Sequence, residues 1–212
     1  MSIETMLRRT LGHALVVCSL TGLSAGAAFA GSHTWNVNEV FSDATGNVQF
    51  IELVEANGTP NETGVPGHSM TSNAKNFVIS GPALAAPSSN KFYLMGTAAF
   101  AALPGAPTPD AIIPAGVLPF FFSVGGDTVT YVPWDSFAFP SVPTDGTTSL
   151  NANLTTGLNS PTNYAGTSGS VDASPPPVVP VLPGWAIVLF GLIVAATGAV
   201  SAARLRRQPL SL

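Results

Sequence analysis

Two glutamates carry the residue chemistry best placed to do work in this chain. Glu39 lies in WNVNEVF (35–41) and Glu52 in VQFIELVE (48–55), two stretches rich in β-branched and aromatic residues that flank the turn-like segment 42–47. Pairing them as a hairpin sets Phe41 opposite Phe50, Val37 opposite Val54 and Glu39 opposite Glu52. Like charges directly opposite are destabilising, so the pair needs a cation, a lysine, backbone N–H donors or a raised pKa on one partner. One solution is a calcium site, in which Glu39 and Glu52 with Asp43 offer hard oxygen ligands. The other is structural: the carboxylates accept hydrogen bonds from loop amides and lock the first hairpin. The second is favoured, because no Asp-x-Asp spacing accompanies the pair. Close carboxylates also serve glycosidases as acid and nucleophile, but a domain of about 130 residues leaves little room for a substrate cleft. No enzyme is expected, and no cofactor apart from the calcium option.

Other constellations are weaker. His33 and His68 have no Cys or His at ligand spacing, Ser69 beside His68 lacks a G-x-S-x-G frame, and Gly125-Gly126 lacks the Lys and helix of a phosphate loop. Tyr131 and Trp134, in the run Tyr131-Val132-Pro133-Trp134, could form an aromatic platform for a carbohydrate, against the simpler reading of strand-edge packing.

The elements that must position these groups read as strands. NFVIS (76–80), KFYLMG (91–96), PFFFSV (119–124) and DTVTYV (127–132) continue the pattern. Gly125-Gly126 suits a two-residue hairpin turn that would set Phe122 opposite Val129 and Phe120 opposite Tyr131. TAAFAAL (97–103), stopped by Pro104-Gly105, is the one short helix expected. Many short strands with Gly/Pro turns and no repeat point to an all-β chain with a β-sandwich over residues 31–158. Residues 159–178 hold Ser, Thr, Gly, Asn and Pro with few large apolar side chains, which predicts a tether.

Charge is distributed in a way that excludes a basic nucleic-acid binder. Of 212 residues only 8% are charged, and five of the seven basic residues lie at the two ends. Residues 31–178 carry ten acids and two lysines, a formal charge of −8 against −4 for the whole chain. The ends read as addresses. In 1–30, Arg8 and Arg9 precede an apolar core, and Ala28-Phe29-Ala30 offers small residues at the −3 and −1 positions of a signal-peptide cleavage site. The single cysteine, Cys18, falls inside that segment. Residues 185–203 form an uncharged run that opens on Trp185 and is followed by Arg204, Arg206 and Arg207, the pattern of a transmembrane helix with a cytoplasmic basic stop. The chain is therefore expected to be exported, anchored in a membrane or passed to the cell surface.

The C-terminal segment 179–212 resembles a bacterial protein-sorting domain of the IPTL-CTERM kind. Pro180, Leu182 and Trp185 fall at that motif's spacing, with Val179 and Val181 in place of its Ile and Thr, and the helix and arginine cluster follow in order. The resemblance implies sorting to a bacterial cell envelope, with an exosortase-like membrane enzyme, as in the related PEP-CTERM group, as the candidate for removing the tail. WNVNEVFSD followed by FIELVE resembles the opening of lamin-tail domains. That resemblance implies an immunoglobulin-like sandwich used in adhesion, matrix or structural contacts, with a surface polysaccharide or a protein as partner.

Overall fold

Alternating side chains and a six-residue turn bring Trp35–Ser42 (β1) and Gln49–Glu55 (β2) together as an antiparallel hairpin, the centre of the computed structural model, which describes residues 31–176 and 183–205. Eight further strands follow: Ser69–Thr71 (β3), Asn76–Val78 (β4), Phe92–Gly96 (β5), Ala111–Ile112 (β6), Asp127–Val132 (β7), Asp135–Phe139 (β8), Thr148–Asn151 (β9) and Thr156–Leu158 (β10). They form two sheets, one in the order β10-β9-β1-β2-β5-β6 and one in the order β4-β3-β7-β8. Among the described residues only the β5–β6 pairing is parallel. The short helix Ala98–Ala101 (α1) starts where Thr97 Oγ1 accepts the Phe100 amide at 3.1 Å, and an apolar helix, Gly184–Leu205 (α2), lies near the C-terminus. The chain divides into two compact units between Ser174 and Pro175.

The main core lies between the sheets. Val37, Val40, Ile51, Leu53, Tyr93 and Met95 from the larger sheet meet Met70, Phe77, Val129, Tyr131, Phe137 and Phe139 from the smaller one. Trp35 is fully buried at its edge, with its indole N–H donated to the Glu62 carbonyl at 2.8 Å. The outer face of the larger sheet carries a second cluster. There Phe41 stacks on Phe50 at 5.3 Å, Phe50 meets Phe100 of α1 at 5.2 Å, and Leu94 and Val171 close the patch.

The first hairpin pairs Phe41 with Phe50 and Glu39 with Glu52, as its sequence implies, but Val37 lies opposite Leu53 rather than Val54. A β-bulge between Val37 and Glu39 is the reason. The extra residue, Asn38, shifts the alternation by one, so Val37 and Val40 both face the core and Glu39 and Phe41 turn to the outer face. An unbulged strand would carry Glu39 to the Val37 side, among apolar residues with no donor.

Residues 119–124 form no strand, so the expected hairpin with 127–132 does not exist. β7 pairs instead with β8 and β3, and Tyr131 lies opposite Asp135 and Met70. The 119–124 segment crosses the core as a loop whose Phe121 and Phe122 are buried. A fully buried Gln49 substitutes for a ladder, accepting the Phe121 amide at 2.8 Å and donating to the Phe122 carbonyl at 3.2 Å. Phe120 takes a left-handed φ of 56° and packs on Gly46, where a Cβ would stand 2.3 Å from the ring.

The segment from 159 to 174 is not a free tether. Asn159, Asn163 and Val171 are buried, Asn159 is bonded to the Thr147 and Val171 carbonyls and to the Val171 amide, and Thr162 bridges to Ser168. It covers the outer cluster with Val171, Ala173 and its own hydrogen-bonded backbone rather than with a run of large apolar side chains, which its composition conceals. Ending the chain after residue 158 should therefore expose Phe41, Phe50 and Leu94 and lower the urea midpoint by the equivalent of at least about 3 kcal/mol. Ending it after Ser174 should leave the midpoint unchanged; equal losses would show that 159–174 contributes nothing.

Candidate functional site

The bulge and the outer-face segment together create the site at the facing glutamates. Glu39 and Glu52 are each 1% exposed. Glu39 accepts the Ser160 amide at 2.9 Å and the Ser160 hydroxyl at 3.0 Å. Glu52 accepts the Asn38 side-chain amide and the Thr162 amide, both at 2.6 Å. Two residues further on, the Tyr164 amide reaches Asp110 at 2.9 Å, and the Leu94 amide bonds the same carboxyl oxygen at 2.8 Å. An extended chain points every second N–H to one side, so residues 160, 162 and 164 present their amides in turn to three carboxylates. The arrangement resembles a sheet ladder in which side-chain oxygens stand in for a neighbouring strand.

The electrostatics follow from burial and donor count. Burial pushes the Glu52 carboxyl up to about 7, against the Asn38 and Thr162 hydrogen bonds, and the Glu39 charge adds to the rise. Burial also raises Asp110, opposed by the Leu94 and Tyr164 amides and by Lys91. Glu55 behaves oppositely on the same strand. Burial raises it too, but the Thr59 hydroxyl, the Asn90 amide, the Thr34 hydroxyl and the Thr59 amide together outweigh that and hold it at about 2.

Calcium does not fit this arrangement. Asp43 is spent in its own turn, accepting the Thr45 hydroxyl at 2.6 Å and the Val48 amide at 3.0 Å. The Glu39 and Glu52 oxygens already take four donors. Among the described residues no group of three His, Cys, Asp or Glu side chains could hold a metal ion.

The aromatic platform is likewise corrected. Tyr131 is fully buried, its alternation on β7 turning it into the core, so it offers no surface to a ligand. Trp134 sits in the β7–β8 turn, 45% exposed, with the His33 ring at 5.8 Å and the His68 ring at 6.2 Å. The His68 Nε2 lies 2.7 Å from the Ser32 hydroxyl. On another part of the surface a cleft of about 440 Å³ is lined by Asn90, Lys91, Phe92, Thr162, Tyr164 and Ser168 among others. The Lys91 ammonium stands 4.4 Å above the Tyr164 ring and donates to the Tyr164 carbonyl at 3.2 Å. Asp110, Glu55, Glu62 and this cleft carried no sequence signal, because each depends on a loop brought from far along the chain.

Trp185 lies in the first turn of α2 and Arg204 in its last. Ala28, Ala30, Pro180, Leu182, Arg206 and Arg207 lie outside the described residues. The run Gly184–Ser201 is long and apolar enough to cross a membrane, and its side chains are exposed around nearly the whole circumference.

A raised carboxyl pKa has a definite sign for stability. Unfolded, Glu52 releases its proton near 4.5, and folded near 7, so between those values the folded chain binds the extra proton and loses stability as pH rises. A shift of that size corresponds to an upper limit of about 3 kcal/mol. Glu55 works in the other direction, contributing stability above 4.5 that is lost as pH falls towards 2. Urea midpoints should therefore be highest near pH 5 and decline to pH 8, and Glu52→Gln should flatten that decline. An unchanged decline in the variant would remove Glu52 as its source. No protein family, curated protein or solved structure matches this chain.

Proposed function

We propose that this chain is an exported, non-enzymatic envelope protein whose acidic β-domain is a lamin-tail-like, immunoglobulin-like module displayed by a C-terminal anchoring and sorting segment. The observation that carries the reading is α2: an apolar helix, in a unit separate from the β-domain, whose side chains are exposed on nearly all sides and which the sequence follows with arginines. Lipid satisfies such a surface and water does not. The strands with their acidic loops would make adhesion, matrix or structural contacts outside the membrane. The near-absence of lysine and arginine in that domain disfavours nucleic acid as a partner.

Fractionation and intact mass of the native protein test this. The expected species lacks residues 1–30 and sits in the membrane fraction, or lacks the sorting segment as well and sits at the surface. A cytoplasmic species retaining residues 1–30 would overturn the reading.

Exposed Trp134 supports a second reading as a carbohydrate-binding module, now without Tyr131. An indole face is a common stacking surface for sugar rings. If that reading holds, Trp134→Ala will abolish glycan binding while leaving the urea midpoint within about 0.5 kcal/mol, as for other surface changes. Absence of any glycan binding by the parent chain would end it.

A further inference from the structure

The strongest unexplained group outside the facing glutamates is Glu62, in the loop between β2 and β3. Its carboxylate is 4% exposed, and among the described residues its neighbours are few: Oε2 accepts the His33 amide at 2.7 Å, and Oε1 has the His33 Nδ1 at 3.4 Å. Three other titratable or polar groups belong to the same neighbourhood. Tyr131 is raised to about 12, first by burial, with the Glu62 charge adding to it, and His68 lies against Tyr131 and Ser32. None of them supplies a cation in contact with Oε1.

Oε1 rests instead on Gly31. A Cβ at that position would stand 2.3 Å from Oε1 and 2.9 Å from Oε2, so the carboxylate occupies the space a side chain would need. Gly31 is fixed on both sides, its amide donated to the Asn61 carbonyl at 3.1 Å and its own carbonyl accepting the Gly64 amide at 2.9 Å. Its nitrogen is bonded to the same Cα and therefore lies within about 5 Å of Oε1. In the uncut chain that nitrogen is an amide with one hydrogen, already given to Asn61.

We propose that Glu62 is the docking site for the α-ammonium created when the chain is cut between Ala30 and Gly31. Hydrolysis of that peptide bond by a signal peptidase consumes one water, leaves the carboxylate on Ala30 and gives Gly31 a free amine that takes up a proton. The resulting –NH₃⁺ keeps its bond to the Asn61 carbonyl and has two further hydrogens for Glu62. A buried carboxylate short of donors gains a charge-assisted hydrogen bond, and the loop 61–64 closes on the new terminus. Cleavage thereby completes the fold: before it, Glu62 has among the described residues only the His33 amide and, at 3.4 Å, the His33 ring beside it, and the precursor is the less stable form, which suits a chain that must cross a membrane unfolded. The inference rests on the reading of residues 1–30 as a signal peptide cut after Ala30.

Chains running from Gly31 to Leu212, released in detergent from a cleavable N-terminal tag, test the docking. Three N-termini are compared at pH 7: free Gly31, N-acetylated Gly31 and Ala30-Gly31, each with Glu62 and with Glu62→Gln. The free Gly31 chain should exceed the acetylated one by about tenfold or more in its folding equilibrium constant, the size of a hydrogen bond to a charged group. The difference should vanish in Glu62→Gln. Equal stability of the free and acetylated chains, or an equal difference in Glu62→Gln, overturns the proposal. If Glu62→Gln does not fold, the titration of the Gly31 amine decides: a pKa above the ordinary value of about 7.7–8.0 supports docking, and one at or below it overturns it. N-terminal sequencing of the native protein reads the cleavage separately, and a first residue other than Gly31 overturns the biological role whatever the prepared chains show.

Discussion

The fold turns on how two glutamates directly opposite each other on a central hairpin are kept underground. Glu39 and Glu52 share the outer face of the larger sheet with Phe41, Phe50 and Leu94. Covering those aromatic rings means covering the carboxylates, and an uncovered patch would leave large apolar side chains in water. Burying an unpaired carboxylate costs more than the rings gain, so the cover must bring donors. A run of backbone amides at alternate residues does so without introducing a charge, which explains how a segment poor in apolar side chains comes to be packed there.

Much of this was legible in the local sequence, and the rest failed for identifiable reasons. The hairpin register at Phe41/Phe50 and Glu39/Glu52 follows from a short turn and alternating residues, information contained within about twenty positions. The bulge at Asn38 left no mark, because an inserted residue is visible only as a change in which face each side chain takes. PFFFSV has the composition of a strand, yet the buried side chain of Gln49 satisfies its backbone, and β7 finds its partners in β8 and β3. The stretch 159–174 has the composition of a tether because the interactions holding it are made by main-chain amides and by short polar side chains such as Asn159, Ser160 and Asn163, which are equally common in free linkers. Tyr131 and Trp134 are three residues apart, close enough in sequence to suggest one surface, but a strand followed by a two-residue turn sends one inward and the other out.

Glu52 and Glu55 show how little position along a strand says about a carboxylate. Both are buried, three residues apart, and both lose solvation. Glu55 is ringed by two hydroxyls and backbone amides and stays ionised far into acid, whereas Glu52 has two donors and a like charge across the hairpin. The number of hydrogens pointed at an oxygen decides which buried acid keeps its proton.

The amide-to-carboxylate clasp also has a mechanical meaning. The residues that leave the β-unit towards α2 are the same ones bonded to β1 and β2, the two inner strands of the six-stranded sheet. A pull on the chain at Ser174 would have to strip residues 173 to 160 from their partners before it reached β10. The clasp is thus a strap fastened at intervals along the outer face, one carboxylate to every second residue, and a load from its C-terminal end meets those fastenings in sequence rather than all together.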